Sequence, residues 1–230
     1  MQKGSEVRFV PAVPAPGQED YQDSLERNII TVCTGLAGTG KTFLAISQAL
    51  KMKFNASRRG GIQRIVIVRP YIQSNTGEKL GALPGTVDEK VTPYVLGVKD
   101  NLRQLLSNEQ DIENLIRNSF EFTVLSLCRG RSFNNCFVIV EEAQNVPLDG
   151  DAMKMILTRI GKHSRLVIAG DMDQCDIDPK NSALVEAVDV LDGVEGVGVV
   201  SMDNIETVQR SPIVKEILRK YDEHRRLGHD

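Results

Sequence analysis

Short apolar runs alternate with stretches of helical periodicity along this chain. Six runs have the length and composition of buried strands, at 29–33, 64–68, 120–127, 137–140, 166–169 and 198–202. Between them the spacing of apolar residues predicts helices over about 43–50, 105–116, 149–161, 181–191 and 212–226. Strands that alternate with helices indicate an α/β fold, with a mainly parallel sheet and helices on both of its faces.

The same pattern suggests how the chain is organised. Three of the nine prolines fall in residues 1–20, which predicts an irregular N-terminal arm before a single domain over 21–230. The polar, glycine-rich residues 71–86 are expected to form an ordered functional loop, within a loop and helical insertion at about 70–117. There is no long apolar run or signal-peptide pattern, so we expect a soluble cytoplasmic protein with no membrane partner.

The clearest motif lies between the first strand and the first helix. Residues 35–42 follow the pattern G-x-x-x-x-G-K-[ST] of a phosphate-binding loop. In such a loop the backbone amides surround phosphate oxygens, Lys41 reaches the β- and γ-phosphates, and the Thr42 hydroxyl can bind Mg²⁺. The alternative, a glycine-rich turn without nucleotide, does not account for the order of strand, loop and helix. The predicted nucleotide-binding residues are Gly35, Leu36, Ala37, Gly38, Thr39, Gly40, Lys41, Thr42 and Phe43.

Two carboxylates follow the fourth apolar run. Parallel strands deliver the residues after them to one edge of the sheet, where the phosphate loop also belongs. Glu141 is therefore expected to hold Mg²⁺ through water, and Glu142 to orient or deprotonate the attacking water. An exposed acidic pair at a strand end is the alternative.

Three further residues are candidates for the same site. Asp171 and Gln174 follow the fifth run, where they could sense the γ-phosphate, although a loop that merely caps the strand would look similar. Arg210 precedes the last helix and is a candidate arginine finger, supplied within the chain or by a neighbouring subunit. Because most arginines are simply solvated, a surface role is the alternative.

Charge is unevenly distributed, although the net charge of −3 is not that of a basic nucleic-acid binder. Residues 28–77 contain seven basic side chains and no acid, whereas residues 170–208 contain ten acids and one lysine. Such a split can steer a polyanion or a neighbouring subunit towards the molecule.

Taken in order, these motifs resemble the PhoH family. The resemblance runs from about residue 18 to residue 221. The residues that carry it are Gly35 to Thr42, Arg69-Pro70, Gly77 to Gly81, Leu83 to Gly85, Glu89 to Val91, Arg129 to Arg131, Glu142 to Asn145, Gly170-Asp171, Gln174 and Arg210 to Pro212. The chain departs from the family at Leu36, where proline is usual, at Glu141, where aspartate is usual, and at Met172-Asp173. The change at Glu141 is expected to affect the rate of hydrolysis more than nucleotide binding.

The resemblance implies a RecA-like P-loop ATPase core related to superfamily 1 helicases, with ATP and Mg²⁺ as ligands. It further implies RNA or single-stranded nucleic acid as partner, and homo-oligomers that form rings, six-membered ones included. Gln18, with Tyr21, is similar to the glutamine motif that reads adenine, and Arg69, Arg129 and Arg131 would contact nucleic-acid phosphates. Two interpretations remain open: an ATP-driven RNA helicase or remodeller, and a nucleotide-dependent regulatory or assembly module that moves no strand. A small-molecule kinase accounts for the motifs less well.

Overall fold

The computed structural model describes residues 8–55, 61–70 and 87–226, with side chains from residue 94 to residue 224 in the last of these ranges. All six predicted strands form, and every pairing between them is parallel. Their order across the sheet is β3-β2-β4-β5-β1-β6. The strands are β1 (Ile30–Gly35), β2 (Arg64–Arg69), β3 (Phe120–Val124), β4 (Cys136–Val140), β5 (Arg165–Gly170) and β6 (Val197–Met202).

Seven α-helices accompany the sheet in the described part of the chain. They are α1 (Glu19–Arg27), α2 (Lys41–Asn55), α3 (Val87–Leu105), α4 (Glu109–Ser119), α5 (Ala152–Leu157), α6 (Ala183–Leu191) and α7 (Pro212–Arg226). Side chains of α1 to α4 pack on one face of the sheet, and side chains of α5 and α6 pack on the other. This confirms the predicted α/β architecture.

The central strands supply both cores by simple alternation. In β2, Ile65 and Ile67 face the core under α1 to α4, whereas Val66 and Val68 face the core under α5 and α6. Successive side chains of a strand point to opposite faces, so a continuous apolar run is what a strand covered on both sides requires.

Three predicted elements have different bounds in the structure. The helical stretch over 105–116 is two helices, because Asn108 is extended and its side chain accepts a hydrogen bond from the Gln110 amide, which caps α4. The helix predicted over 149–161 is shorter: Gly150 and Asp151 have positive φ, which keeps these residues out of a right-handed helix. The strand predicted over 120–127 ends at Val124, where a 3-10 turn begins.

The N-terminal arm is irregular over residues 8–18, and α1 then starts at Glu19, two residues before the predicted boundary. The arm is held by the Val10 amide, which donates to the Leu105 carbonyl at 3.1 Å, and by the Ala12 amide, which donates to Ser47 Oγ at 2.8 Å. It therefore packs along α2 and α3 towards the phosphate loop.

Some sequence predictions concern residues outside the described ranges. They are the functional loop at 71–86 with the motifs at 77–81 and 83–85, the side chains of 89–91, and the basic residues Arg58 and Arg59. Within the described ranges, no helix combines the length and apolar character that crossing a bilayer requires.

Candidate nucleotide site

The predicted site residues meet at one edge of the sheet. Strands β4, β5 and β1 are neighbours, so the segments that follow them converge at their carboxyl ends. A cleft of about 480 Å³ opens there, which is within the range of small-ligand sites. Its lining includes the phosphate loop, both carboxylates after β4, and the polar residues after β5.

The backbone of the phosphate loop, residues 35–42, is shaped for phosphate. Gly38 and Gly40 have φ of +79° and +89°, and a Cβ at Gly40 would lie 2.8 Å from Gln18 Nε2. Only glycine meets both demands without strain. Lys41 Nζ donates to the carbonyl oxygens of Gly35, at 2.6 Å, and Leu36, at 2.9 Å. These two carbonyls hold the ammonium inside the loop. A phosphate oxygen would replace them as its hydrogen-bond acceptor.

Burial determines the electrostatics of Lys41. Burial lowers the pKa of Lys41 from its ordinary value, and the nearby Cys33, Asp171 and Glu142 act in the opposite direction. A phosphate anion in the loop would supply opposite charge to this ammonium, which burial has partly removed from water.

Gln18 lies where the glutamine motif was predicted, but its contacts are to the chain itself. Its side chain is 3% exposed, Nε2 donates to the Thr39 carbonyl at 2.7 Å, and Oε1 accepts from the Ala15 amide at 2.8 Å. Tyr21, which is fully buried, donates from its hydroxyl to the Lys41 carbonyl at 3.1 Å. Both residues therefore brace the phosphate loop. One amide hydrogen and one lone pair of Gln18 remain for a base.

A network of hydrogen bonds links the segments after β4 and β5. Gln144 Nε2 donates to Glu142 Oε2 at 2.8 Å and to the Gln174 carbonyl at 3.1 Å, while its Oε1 accepts from the Asp171 amide at 3.1 Å. Gln174 Nε2 donates to Asp171 Oδ2 at 3.0 Å. Glu142 has a left-handed backbone with φ of +53°, as do Asn135, Asp151 and His163, which do not line the cleft.

Asp171 joins this network to the phosphate loop. Burial raises the pKa of the Asp171 carboxyl above its ordinary value, and hydrogen bonds from the Asp173 and Ala37 amides oppose the shift. The Ala37 amide belongs to the phosphate loop, so the carboxylate contacts both sides of the cleft. This position suits the predicted role of sensing the γ-phosphate.

The carboxylate of Glu141 forms an ion pair within the chain. Arg69 Nε donates to Glu141 Oε2 at 2.9 Å, and the guanidinium lies over the Tyr94 ring, 4.4 Å from its centroid. The contact between Arg69 and nucleic acid that the resemblance implies would therefore require this ion pair to open.

The other two predicted nucleic-acid contacts lie elsewhere. Arg131 Nη2 binds Glu121 Oε1 at 2.6 Å. In the sheet register Glu121 pairs with Val66, whereas Val124 pairs with Arg69, so Arg131 lies roughly three strand positions, about 10 Å, nearer the amino edge. Arg129 is exposed just after the turn that follows β3. The three arginines do not form one cluster.

Arg210 lies against the phosphate loop of its own chain. The Gln209 amide donates to the Gly38 carbonyl at 2.8 Å, and a Cβ at Gly38 would be 3.0 Å from both Cγ and Nε of Arg210. Arg210 also lines the cleft. Arg210 is exposed where it lies beside the phosphate loop of its own chain.

The residues at the cleft fit a magnesium nucleotide. Thr42, Glu141 and Asp171 line it together with the phosphate loop. In the part of the chain that the structure describes, no three His, Cys, Asp or Glu side chains are grouped to hold a metal ion. That composition is compatible with Mg²⁺, which usually keeps several waters and binds one or two carboxylates together with substrate phosphates.

Sequence reasoning missed several residues of the site. Gln144 had a place in a motif but no role, although its position two residues after the acids was a usable signal. Gln144 contacts Glu142 and Asp171 behind the cleft, whereas Asn101 and Gln104 of α3 and Val13 of the arm line the cleft itself. Nothing local marks these three, because only the packing of the arm and α3 brings them there.

This chain is similar to known proteins over most of its length. The family model described as "PhoH-like protein" matches residues 12–222. The PhoH-like protein of Bacillus subtilis (strain 168) is 36% identical over 96% of this chain and 65% of its own length. The protein PhoH of Escherichia coli (strain K12) is 33% identical over 89% of this chain and 56% of its own.

This chain therefore spans about two thirds or less of these relatives. Among solved structures, the helicase domain of Hef from Pyrococcus furiosus aligns with 88% of this chain and 39% of that chain, at 14% identity and a TM-score of 0.47. The family match and the identities over most of the chain show that this chain belongs to the family of PhoH-like proteins.

Proposed function

We propose that this protein binds ATP with Mg²⁺ and hydrolyses it. The observation that carries the proposal is the network in which Gln144 joins Glu142 to Asp171, across the cleft from Lys41. A carboxylate held in a fixed position opposite a phosphate loop is what activation of a water requires.

Each residue has a distinct part in this proposal. Lys41 leaves the carbonyls of Gly35 and Leu36 for the γ-phosphate, and Glu142 orients the water and accepts its proton. Asp171 and Gln174 detect the loss of the γ-phosphate through their bonds to each other and to the loop, and Arg210 stabilises charge that develops on the transferred group. Thr42 and Glu141 would hold Mg²⁺, which neutralises charge on the phosphate oxygens.

The first experiment separates binding from chemistry. Lys41→Ala removes the charge that attracts the phosphates, so binding of a fluorescent ATP analogue should be lost. Glu142→Gln keeps size and hydrogen bonding but cannot accept a proton, so binding should persist while turnover stops. Turnover by Glu142→Gln at the parent rate would exclude Glu142 as the group that activates water.

We further propose that hydrolysis serves a remodelling activity on RNA or another single strand, in the cytoplasm and as a homo-oligomer. Family membership and the basic segment at 28–77 support a nucleic-acid partner. Single-stranded RNA should raise ATP turnover, and its binding should weaken steeply as salt rises. Arg129→Ala should flatten that slope, because an exposed arginine can release counterions on contact with phosphate.

A regulatory module that moves no strand is the second candidate. It is favoured by the net charge of −3 and by the intramolecular ion pairs that occupy Arg69 and Arg131. The regulatory module is the correct candidate if RNA leaves ATP turnover unchanged and does not bind at low salt in the presence of an ATP analogue.

A further inference from the structure

Arg69 connects Glu141, the acid proposed to hold the metal, with helix α3, which lines the cleft. The side chain of Glu141 is 7% exposed and that of Arg69 is 28% exposed, so their ion pair is partly shielded from water. A carboxylate in such a place needs a cation nearby, because an unpaired charge there is strongly disfavoured. Arg69 supplies this cation from the carboxyl end of β2.

The other side of the same guanidinium rests on α3. Its central carbon lies 4.4 Å from the centroid of the Tyr94 ring, which is cation–π distance. Tyr94 lies seven residues, about two turns, before Asn101, and both Asn101 and Gln104 line the cleft. A displacement of Arg69 therefore reaches a helix that lines the nucleotide cleft.

The opposite end of β2 contains a matched ion pair without these connections. Arg64 Nη1 binds Glu121 Oε2 at 3.0 Å, with its side chain 48% exposed. Neither Arg64 nor Glu121 lines the cleft. The strand thus carries one arginine–glutamate pair at each end, and the pair at the carboxyl end includes a proposed metal ligand.

We propose that Arg69 is an internal cation that competes with Mg²⁺ for Glu141, and that its displacement affects α3 through the contact with Tyr94. In the structure Arg69 holds Glu141 and stacks on Tyr94. When magnesium nucleotide binds, the added positive charge near Glu141 repels the guanidinium, so Arg69 moves away and its contact with Tyr94 changes. This inference rests on the proposed function, since it requires a magnesium nucleotide in the cleft.

The sign of one binding measurement tests the competition. Binding of a fluorescent ATP analogue is titrated with Mg²⁺ in the parent protein, Arg69→Gln and Arg64→Gln. Loss of a competing cation should lower the half-saturating Mg²⁺ concentration in Arg69→Gln by roughly fivefold, as expected for one partly exposed ion pair. Arg64→Gln should behave as the parent. An equal or higher requirement for Mg²⁺ in Arg69→Gln would overturn the competition.

A fluorescence reporter tests the link to α3. The sequence contains no tryptophan, so Tyr94→Trp introduces a single indole that keeps an aromatic face for Arg69. Its emission should change when magnesium nucleotide is added, and that change should be absent in Arg69→Gln combined with Tyr94→Trp. Arg69→Lys keeps the charge without the planar guanidinium and should give an intermediate Mg²⁺ requirement. This variant tests the competition if Arg69→Gln does not fold.

The outcomes separate this inference from the proposed function. If calorimetry shows no binding of magnesium nucleotide to the parent protein, the proposed function fails and the competition fails with it. If nucleotide binds but neither the indole emission of the Tyr94→Trp variant nor the Mg²⁺ requirement depends on Arg69, only the role of Arg69 is wrong.

Discussion

At the scale of single residues, the site depends on side chains that connect its parts as much as on those that would meet the nucleotide. Gln144 is completely buried, and its amide uses both nitrogen and oxygen to join the segments after β4 and β5. A Cβ at Gly170 would lie 2.9 Å from Gln144 Oε1, so the two strands approach closely at this point. We infer that Gln144 is a positioning residue for Glu142.

Replacement of Gln144 by methionine tests this role. The side chain keeps similar length but loses every hydrogen bond, so Glu142 is no longer held and the Asp171 amide loses its acceptor. ATP turnover should fall by roughly 10²-fold while the affinity for the nucleotide changes little. Steady-state kinetics and equilibrium binding, measured together, separate these two quantities.

The neighbouring amide provides a matched control. Asn145 is also buried, but its side-chain amide pairs with Asp176, through bonds of 3.0 and 2.7 Å, and Asp176 does not line the cleft. Asn145→Leu should lower stability by about 1–3 kcal/mol with little loss of turnover in the folded fraction. Equal effects of the two substitutions on turnover would contradict a specific role for Gln144.

At the scale of elements, α3 is important because it links Tyr94, which contacts Arg69, to the cleft that it lines. It contains Gly97 in its interior, in the stretch between Tyr94 and Asn101. A Cβ at Gly97 would meet no atom within 4 Å. Glycine at this place weakens the helix without a packing reason, because it increases the conformational freedom that folding removes.

Gly97→Ala should therefore stabilise the protein by about 0.5–1 kcal/mol, a rise of roughly 2–4 °C in Tm for each kcal/mol in a domain of this size. Gly130→Ala is the control. It too has open space around the added Cβ, but its φ is +78°. The alanine there should destabilise by about 1–2 kcal/mol, because left-handed backbone disfavours a Cβ. If both substitutions shift Tm in the same direction, this interpretation of Gly97 is wrong.

At the scale of the whole molecule, the position of Arg210 determines whether one chain can complete its own site. The turn before α7 returns to the phosphate loop, where Gln209 bonds Gly38 and Arg210 covers it. From Pro212 to His224, no side chain of α7 is buried. The helix therefore lies on the surface while the arginine before it reaches into the cleft.

We expect Arg210→Ala to reduce turnover by about 10³-fold with ATP binding retained. Because the arginine lies on its own phosphate loop, mixing Arg210→Ala with Lys41→Ala should not restore activity in verified mixed oligomers. Mixed-oligomer turnover that exceeds the sum of the two separate mutants would show that Arg210 acts across a subunit contact. Each mutant assayed alone at the same total concentration is the baseline.

Much of this protein is determined locally by its sequence. Strands β2, β4 and β5 follow from continuous apolar runs, because a strand covered on both faces needs apolar side chains in both directions. The runs of β1, β3 and β6 include polar residues or glycine, and their β-branched and aromatic residues indicate a strand. The phosphate loop follows from its glycines, lysine and threonine, since backbone conformation and charge at those positions depend on residue type alone. The predictions at Lys41, Glu142, Asp171 and Gln174 all fall in the cleft, because carboxyl ends of parallel strands share one edge.

The tertiary structure decided what depends on residues distant in sequence. Arg69 and Glu141 are 72 residues apart, and only the pairing of β2 with β4 brings them together. The same holds for Gln18 on the phosphate loop and for Arg210 over Gly38. A residue's type defines which partners it can accept, but strand order and packing choose among them. Loop and arginine motifs could therefore be located from sequence, whereas their partners could not.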